Sequence, residues 1–270
     1  MVKKDFQRVL VIGDIHGNFT KLMSLHKKIK ATDDDLVIYL GDYTDRGDEN
    51  VKVLKFLIEE SHKENVILCT GNHEILMARF IYYEDYSWLR SGGLKTLEEI
   101  QKWYAEDETA SEKLSKFIKG LKSYHQMTIN ENKYFISHAG IDPRKPLKKQ
   151  TLTNITDIRE KFFVPYDDQM IMVIGHNPLM YVKSEEEIEE QCKKLGLEIS
   201  SKNKRLYDAL SDGEVTIYRD TEEALNIEDV KPQWRRNGKI LMMDTGSFMP
   251  NGFISAVDLL SRTIYQSDKI

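Results

Sequence analysis

Short apolar runs alternate with amphipathic stretches through the first quarter of the chain. Runs rich in β-branched residues, bounded by glycine, asparagine or aspartate, predict buried strands at Val9–Ile12, Leu36–Leu40 and Val66–Cys69. Between them, apolar residues recur at helical spacing over Phe19–Ile29 and Val51–Ile58. Strands and helices in this order predict right-handed βαβ units with parallel strands.

The pattern changes after the third strand. Residues 75–125 are predicted to be mostly helical, with a break at Ser91–Gly93. Further strands are then predicted at Tyr134–Ser137, Ile171–Ile174, Ile240–Met243 and Ile254–Val257. Because these later strands suit a second sheet, we expect an α/β fold in which two mixed β-sheets pack together as a β-sandwich flanked by helices.

A charged stretch interrupts this later strand-rich half. Residues 183–237 are rich in lysine and glutamate, which predicts a largely helical insertion with a hairpin around Val215–Tyr218. The chain has 270 residues, of which 40% are hydrophobic, so its length suits one large domain. We therefore expect a single domain over residues 1–270 that carries an insertion at about 183–237.

Composition narrows the classes of partner. The chain has 39 Lys+Arg against 44 Asp+Glu, a formal charge of −5, which argues against nucleic acid as a partner. No apolar run is long enough to span a membrane or to form the core of a signal peptide. Cys69 and Cys192 are the only cysteines, so no disulfide framework is expected. These features predict a cytoplasmic protein, and they leave its oligomeric state open.

Polar residues collect where the predicted strands end. The phrases Gly13–Gly17, Gly41–Gly47 and Gly71–Glu74 follow the first three strands, and His138 and His176 follow two later ones. A lone aspartate there is usually a turn or cap residue, and a lone histidine is usually structural. Aspartate, asparagine and histidine together on one rim are instead typical of a centre that binds two metal ions.

These short sequences resemble the motifs of a known family. Gly-Asp-Ile-His-Gly, Gly-Asp-x-x-Asp-Arg-Gly and Gly-Asn-His-Glu, followed by His138 and His176, resemble the motifs of the calcineurin-like metallophosphoesterases. Within that family the chain resembles the phosphoprotein phosphatase branch, with its bacterial and bacteriophage serine/threonine protein phosphatases and symmetrical diadenosine tetraphosphate hydrolases. The motifs extend from Gly13 to Gly246. The resemblance implies a four-layer metallophosphoesterase fold and hydrolysis of phosphate esters.

The resemblance also implies a dinuclear metal centre. Two divalent ions, manganese first and iron or zinc as alternatives, would be held by these residues: Asp14 and His16 for the first, Asn72, His138 and His176 for the second, and Asp42 as the bridge. In the family, a hydroxide that bridges the ions attacks phosphorus directly, because two cations lower the pKa of the water between them.

The resemblance also implies which arginines and which amide side chain contact the substrate phosphate. Arg46 matches the family's phosphate-binding arginine, and its planar guanidinium suits two phosphate oxygens. Arg159 resembles a second such arginine, with Arg144 as its competitor. The resemblance also suggests that Asn72 contacts substrate and that Arg90 lines the entrance to the site.

A histidine and an aspartate are implied as the proton-donating pair. His73 matches the family's general acid, and Asp45 would fix its tautomer and raise its basicity. Asp244 would support the site from outside the ligand shell. Trp88 is assigned to core packing.

Three functions stay open at this point. The leading hypothesis is a metal-dependent hydrolase of phosphoserine and phosphothreonine monoesters in proteins. The alternative is hydrolysis of diadenosine tetraphosphate at the same centre. A non-catalytic binding module on the same fold is disfavoured, because a degenerate module would be free to lose ligands. The long interval between His176 and Asp244 predicts that the insertion forms a wall beside the site and restricts substrates.

Overall fold

Two five-stranded sheets face each other in the computed structural model, which describes residues 6–166, 169–225 and 228–269. The strands are β1 (Arg8–Ile12), β2 (Asp35–Tyr39), β3 (Val66–Leu68), β4 (Tyr124–Ile129), β5 (Asn132–Ser137), β6 (Met170–Ile174), β7 (Gln233–Arg235), β8 (Ile240–Met242), β9 (Ser255–Asp258) and β10 (Ile264–Gln266). The α-helices are α1 (Phe19–Ile29), α2 (Asn50–Glu60), α3 (Asn72–Tyr83), α4 (Leu94–Glu106), α5 (Ala110–Gly120), α6 (Leu152–Asp157), α7 (Glu185–Lys194), α8 (Lys204–Ser211) and α9 (Thr221–Leu225).

Both sheets are mixed. The first has the order β10-β9-β1-β2-β3, with β1, β2 and β3 parallel and the other two pairings antiparallel. The second has the order β4-β5-β6-β8-β7, with β5, β6 and β8 parallel. The predicted α/β fold of two packed mixed sheets with flanking helices is therefore confirmed. Parallel neighbours bring their carboxyl ends to one edge, and the candidate site lies there.

Strand β1 of the first sheet contributes to two cores. Val9 and Val11 of β1 pack between the sheets, together with Val173 of β6. Leu10 and Ile12 point to the other face and pack against the helices. This follows from the alternation of side chains along a strand, which lets a strand with a continuous apolar run be buried on both faces.

The segment between β6 and β8 packs on the outer face of the second sheet. It contains α7, α8, α9 and β7, and Ile188 and Leu210 share a buried cluster with Met172 of β6. Where the sequence predicts a hairpin at 215–218, the described residues form only an isolated antiparallel bridge between Val182 and Tyr218. Residues 226 and 227 of the predicted insertion, and residues 1–5, 167, 168 and 270 of the predicted domain, lie outside the described residues.

The helical stretch after β3 ends earlier than predicted. Residues 75–125 contain α3, α4 and α5, with a π-helical turn at Leu89–Gly93 where the sequence predicts a break. Gly92 in that turn has φ 104°, a conformation that favours glycine. The unpredicted strand β4 then begins at Tyr124 and pairs with β5. Within the described ranges, no helix combines the length and hydrophobicity needed to cross a membrane.

Candidate active site

The turns after β1, β2 and β6 hold their polar residues in left-handed backbone conformations. His16 has φ 49°, Asp42 has φ 52° and His176 has φ 61°. Asp45 and Arg46 share this region, with φ 73° and 70°. Each such non-glycine residue costs on the order of 1 kcal/mol or more, and residues of this kind concentrate at functional sites.

Two glycines let carboxylates approach the backbone closely. A Cβ atom on Gly71 would lie 2.1 Å from Asp42 Oδ1, and one on Gly175 would lie 2.1 Å from Asp14 Oδ1. Any side chain at these positions would displace the carboxylate, because real Cβ atoms do not approach so closely. Glycine at 71 and 175 is therefore required by the site and not only by the turns.

Glu74 has a role that the sequence pattern does not reveal. Its carboxylate accepts backbone N–H bonds from Asp42 at 2.8 Å, Tyr43 at 2.9 Å and Gly71 at 2.9 Å. Burial, and then the nearby Asp42 charge, raises the pKa of Glu74 to about 7. The first turn of α3 thus fixes the turn after β2 from behind, which aims the Asp42 side chain into the site.

Asp42 lies between two groups of candidate metal ligands. It is grouped with His16 and His73 on one side and with His138 and His176 on the other, and the ligand atoms of each group lie within 4.8 Å of one another. His138 Nε2 is 3.3 Å from Asp42 Oδ1, and His16 Nε2 is 3.6 Å from Asp42 Oδ2. This shared position is the one required of a bridging carboxylate.

Asn72 and Asp14 complete the predicted ligand set. Asn72 Oδ1 is 3.1 Å from His138 Nε2. The Asp14 carboxylate accepts the backbone N–H of His176 at 3.1 Å, which joins the end of β1 to the end of β6. All six residues predicted to bind metal therefore converge at one edge of the two sheets, although His73, predicted as the general acid, also lies within ligand distance.

The buried carboxylates at this edge of the sheets favour the binding of cations. Burial, and then the Asp244 charge, raises the pKa of Asp14, and burial raises the pKa of Asp244 to about 6. Buried carboxylates that repel one another are costly unless cations compensate them. Asp244 accepts the Gly246 N–H at 2.9 Å, and its predicted support of the metal ligands stays a prediction. The donor set fits divalent metal ions.

The imidazoles respond to the same environment. Burial lowers the pKa of His16 and brings that of His176 to about 4, so both are neutral near pH 7, as metal ligation requires. Burial also disfavours the charged form of His138, but Asp42 and Asp14 outweigh it and raise its pKa to about 9. His138 Nδ1 is buried and lacks a hydrogen-bond partner within the described residues.

His73 and Asp45 form a tightly held pair. His73 Nδ1 lies 2.6 Å from Asp45 Oδ2, and its Nε2 lies 3.2 Å from Arg46 Nη2. Burial opposes protonation, yet Asp42 and Asp45 outweigh it and raise the pKa of His73. Asp45 also accepts the Trp88 indole N–H at 2.7 Å and the Thr96 hydroxyl at 2.6 Å. Trp88 is thus a core residue that also orients the pair.

A cavity of about 490 Å³ opens over the candidate metal ligands. Arg46 and Arg159 both line it, as do Asp42, Asn72 and His176. Its other wall consists of half-buried apolar or aromatic residues: Pro178, Tyr181, Tyr218 and Phe248. The cavity is large enough for a phosphate ester and part of the group that carries it.

Two other predicted arginines lie elsewhere. Among the described residues that line this cavity neither Arg144 nor Arg90 occurs. Arg144 forms a bidentate pair with Asp142 and lies over the Tyr207 ring, which favours Arg159 as the second phosphate-binding arginine. Arg90 is exposed on the π-helical turn, so its contact with substrate stays a prediction.

Two further residues of the site escape the sequence pattern. Asp157 Oδ1 lies 3.2 Å from His176 Nε2 and 3.9 Å from Arg159 Nη2. The Tyr218 hydroxyl donates to Asn177 Oδ1 at 2.6 Å. Neither belongs to a recognisable motif, and only the tertiary fold brings them to the site.

Two packed mixed sheets with carboxylates, imidazoles and an amide at the strand ends suit a metal-dependent phosphoesterase. The family model for calcineurin-like phosphoesterases matches residues 7–200, and the chain belongs to this family. The resemblance seen in the motifs is thereby confirmed, as is the general class of metal-dependent phosphoester hydrolase.

Individual relatives are more distant. The chain is 35% identical over 81 residues to the serine/threonine-protein phosphatase PP1-delta of Caenorhabditis elegans, a match that covers 28% of this chain and 27% of that protein. It therefore spans about a quarter of the length of this curated relative.

Solved structures share the fold along most of the chain. A protein provisionally assigned as a diadenosine tetraphosphatase superposes with a TM-score of 0.56 at 15% identity, covering 96% of this chain and 92% of that one. A Saccharomyces cerevisiae serine/threonine phosphatase similar to human PP5 gives 0.50 at 14% identity, covering 99% and 81%. These likenesses establish the fold alone.

Proposed function

We propose that this chain hydrolyses phosphoserine and phosphothreonine monoesters in proteins. The observation that carries the proposal is the His73–Asp45 pair: His73 Nδ1 contacts Asp45, and His73 Nε2 lies 3.2 Å from Arg46 Nη2 at one of the two ligand groups that share Asp42. A phosphomonoesterase needs a proton donor, phosphate-binding cations and a metal centre close together. The contacts of His73 with Arg46, and of Asp42 with both ligand groups, support this combination beside the cavity.

Two divalent ions would be held by Asp14, His16, Asp42, Asn72, His138 and His176. We propose manganese, with iron or zinc as alternatives, because this mixture of oxygen and nitrogen donors suits all three. When bound, the ions would polarise the phosphate and lower the pKa of the attacking water.

The surrounding side chains supply the remaining steps. Arg46 and Arg159 would bind phosphate oxygens and stabilise the charge that develops on them, and the Asn72 amide would assist. His73 would donate a proton from Nε2 to the departing serine or threonine oxygen. Asp45 accepts the Nδ1 hydrogen and keeps the imidazole in the orientation that this transfer needs. Arg90 remains a candidate contact at the entrance.

The alternative substrate is diadenosine tetraphosphate. The aromatic wall of the cavity favours it, since adenine could stack there. The charges favour a monoester: among the described residues that line the cavity, Arg46 and Arg159 are the only cations, and Glu160 adds a negative charge. Four linked phosphates would need more positive charge than that. A non-catalytic binding module is the weakest alternative, because every predicted ligand is retained.

A substrate comparison tests the proposal. The protein loaded with manganese would be assayed with a phosphoserine peptide, a phosphothreonine peptide and diadenosine tetraphosphate at equal concentration. We expect kcat/KM to be higher for the peptides. Cleavage of the dinucleotide orders of magnitude faster than the peptides would transfer the assignment to the alternative, and no hydrolysis of any phosphate ester would favour the binding module.

We also propose the cytoplasm as the site of action and a single domain over residues 1–270. Cys69 and Cys192 are both buried and free, which suits a reducing compartment. The packing of α7 and α8 on the same sheet as β6 supports one domain with an insertion.

A further inference from the structure

The inserted segment supplies part of the cavity wall. Tyr218 belongs to the stretch between α8 and α9, and its backbone is tied to the chain that follows His176. The Lys183 N–H donates to the Ile217 carbonyl at 2.8 Å, and the Arg219 N–H donates to the Tyr181 carbonyl at 2.7 Å. Tyr218 is therefore fixed relative to the candidate metal ligands.

The Tyr218 side chain is also anchored at its end. Its hydroxyl donates to Oδ1 of Asn177, the residue after His176, at 2.6 Å. The Asn177 amide in turn donates to the carbonyl of Ile158, the residue before Arg159. Because its backbone and its hydroxyl are both held, the Tyr218 side chain lines the cavity in a fixed position, as Tyr181 and Pro178 also do.

The charged side chains of the cavity lie beside its apolar wall. Arg46 contacts His16 and His73. The Arg159 side chain instead lies near Asp157 and interacts with the Tyr218 hydroxyl. The wall of Pro178, Tyr181 and Tyr218 carries no charge, and Glu160 lies in the same cavity. A group that lies on this wall should be apolar, and a carboxylate there would be repelled by Glu160.

We propose that Tyr218 is a specificity-determining residue. Its ring, with Tyr181 and Pro178, forms a subsite for an apolar side chain that flanks the phosphorylated residue of a peptide substrate. This inference rests on the proposed phosphoprotein phosphatase function. The subsite is continuous with the cavity over the metal ligands, so phosphate and flanking side chain can bind together.

Matched peptides test the subsite. One phosphoserine peptide would carry leucine, alanine or glutamate on both sides of the phosphoserine, and kcat/KM would be measured with manganese. We expect leucine to exceed alanine by roughly tenfold, as burial of an aliphatic side chain allows, and glutamate to be the poorest. Tyr218→Ala should abolish the leucine preference, whereas Tyr218→Phe should retain it because the ring remains.

Two further variants keep the test decisive. Tyr207→Phe is the matched control, since Tyr207 lies on α8 in the same inserted segment and its buried hydroxyl has no partner in the part of the chain that the structure describes. It should behave as wild type. Glu160→Gln should raise kcat/KM for the glutamate peptide severalfold, and it stays informative if Tyr218→Ala fails to fold.

The outcomes separate the two proposals. If phosphopeptides are hydrolysed without a leucine preference, or if Tyr218→Ala and Glu160→Gln leave the preferences unchanged, the subsite is refuted and the phosphatase function stands. If no phosphopeptide is hydrolysed while diadenosine tetraphosphate is, the proposed function fails and the subsite fails with it.

Discussion

At the residue scale, the carboxylate of Asp45 determines what His73 can do. One carboxylate oxygen accepts hydrogen bonds from the His73 ring and the Trp88 indole, and the other accepts one from the Thr96 hydroxyl. The backbone N–H of Asp45 donates to Asn50 Oδ1 at 2.8 Å. A carboxylate with its acceptors engaged in this way cannot rotate freely. The His73 tautomer with hydrogen on Nδ1 is therefore favoured, and Nε2 is left to the contact with Arg46.

Replacing the proposed general acid should slow catalysis selectively. We expect His73→Asn to lower kcat by about 10²- to 10⁴-fold for an alkyl phosphate such as phosphoserine, because its alkoxide cannot leave without a proton. The loss should be much smaller for p-nitrophenyl phosphate, whose leaving group needs little assistance. His125→Asn, on β4, is the control and should change neither rate. Equal losses for both substrates would assign His73 a different role.

Candidate site residues could be predicted from the sequence only where they belong to a motif. Asp14, Asp42 and His73 each follow a glycine or asparagine in a recognisable phrase, so their type and spacing were visible. Asp157 and Tyr218 reach the site through tertiary packing of α6 and of the inserted segment. No local pattern marks such residues, because their partners are distant in sequence.

At the scale of elements, α1 holds the loop that contacts Arg46, the proposed phosphate-binding arginine. Lys21 of α1 is buried, and its ammonium group donates to the carbonyls of Ser247 at 2.9 Å, Met249 at 3.2 Å and Gly252 at 2.9 Å. Within this loop, Phe248 lies with its ring centroid 4.4 Å from Arg46 Cζ. The helix therefore positions Arg46 through the loop.

Removing this ammonium group should loosen the loop. Lys21→Met removes three hydrogen bonds from a charged donor, and we expect the free energy of unfolding to fall by about 2 to 4 kcal/mol. KM for phosphate esters should rise severalfold while kcat changes less, because Arg46 loses its support but His73 does not. Urea denaturation and steady-state kinetics measure the two effects.

The same helix offers a control for that prediction. Lys28 pairs with Asp268 at the surface, where an ion pair contributes about 1 kcal/mol or less. Lys28→Met should therefore leave KM unchanged. A normal KM in Lys21→Met would mean that the loop keeps its position without the lysine.

Elements were predictable where periodicity and turn chemistry agreed. β1, α1, β2, α2 and β3 match their predicted positions within a few residues, because each strand contains a continuous apolar run and each helix has one apolar face. β4 was missed because its residues are mostly exposed or half-buried, and they directly follow a long helical stretch. The predicted hairpin around 215–218 was wrong, because Tyr218 pairs with Val182 and the described residues form no hairpin there.

At the scale of the whole molecule, the first sheet depends on an ion pair where β1 and β2 begin. Arg8 Nε lies 2.9 Å from Asp35 Oδ1, and Nη2 lies 2.5 Å from Oδ2, while the Asp35 side chain is only 2% exposed. These hydrogen bonds outweigh burial and lower the pKa of Asp35 below its usual value. Asp35 therefore stabilises the fold only when ionised.

This pair predicts a pH-dependent stability. We expect Asp35→Asn to lower the free energy of unfolding by about 2 to 4 kcal/mol at pH 7, because Arg8 loses a largely buried partner. The pKa of Asp35 in the folded protein lies below its value in the unfolded chain. The stabilisation by the Arg8–Asp35 pair is therefore complete above about pH 4 and is lost as the pH falls through the folded pKa. Urea denaturation of both proteins from pH 7 to pH 3 should show the difference shrinking. Glu190→Gln, in an exposed pair with Lys194, should change far less.

The metal centre should couple to global stability, because its ligands come from both sheets. Asp14 and Asp42 follow strands of the first sheet, and His138 and His176 follow strands of the second. Without cations, the buried charges of Asp14, Asp42 and Asp244 repel one another, as the raised pKa values of Asp14 and Asp244 indicate. Cations held by these ligands would connect the two sheets and would compensate a repulsion that opposes folding.

Stripping and restoring metal should therefore shift the melting temperature. Manganese at about a hundred times its Kd would add about 2.7 kcal/mol per site, which corresponds to roughly 5 to 10 °C for a domain of this size. Asp42→Asn should reduce that shift and lower the bound stoichiometry below two, because one carboxylate serves both ligand groups. The exposed Asp34→Asn should keep the full shift. If Asp42→Asn keeps the full shift in melting temperature and still binds two ions, Asp42 is not the bridging ligand. The two ligand groups would then be independent sites.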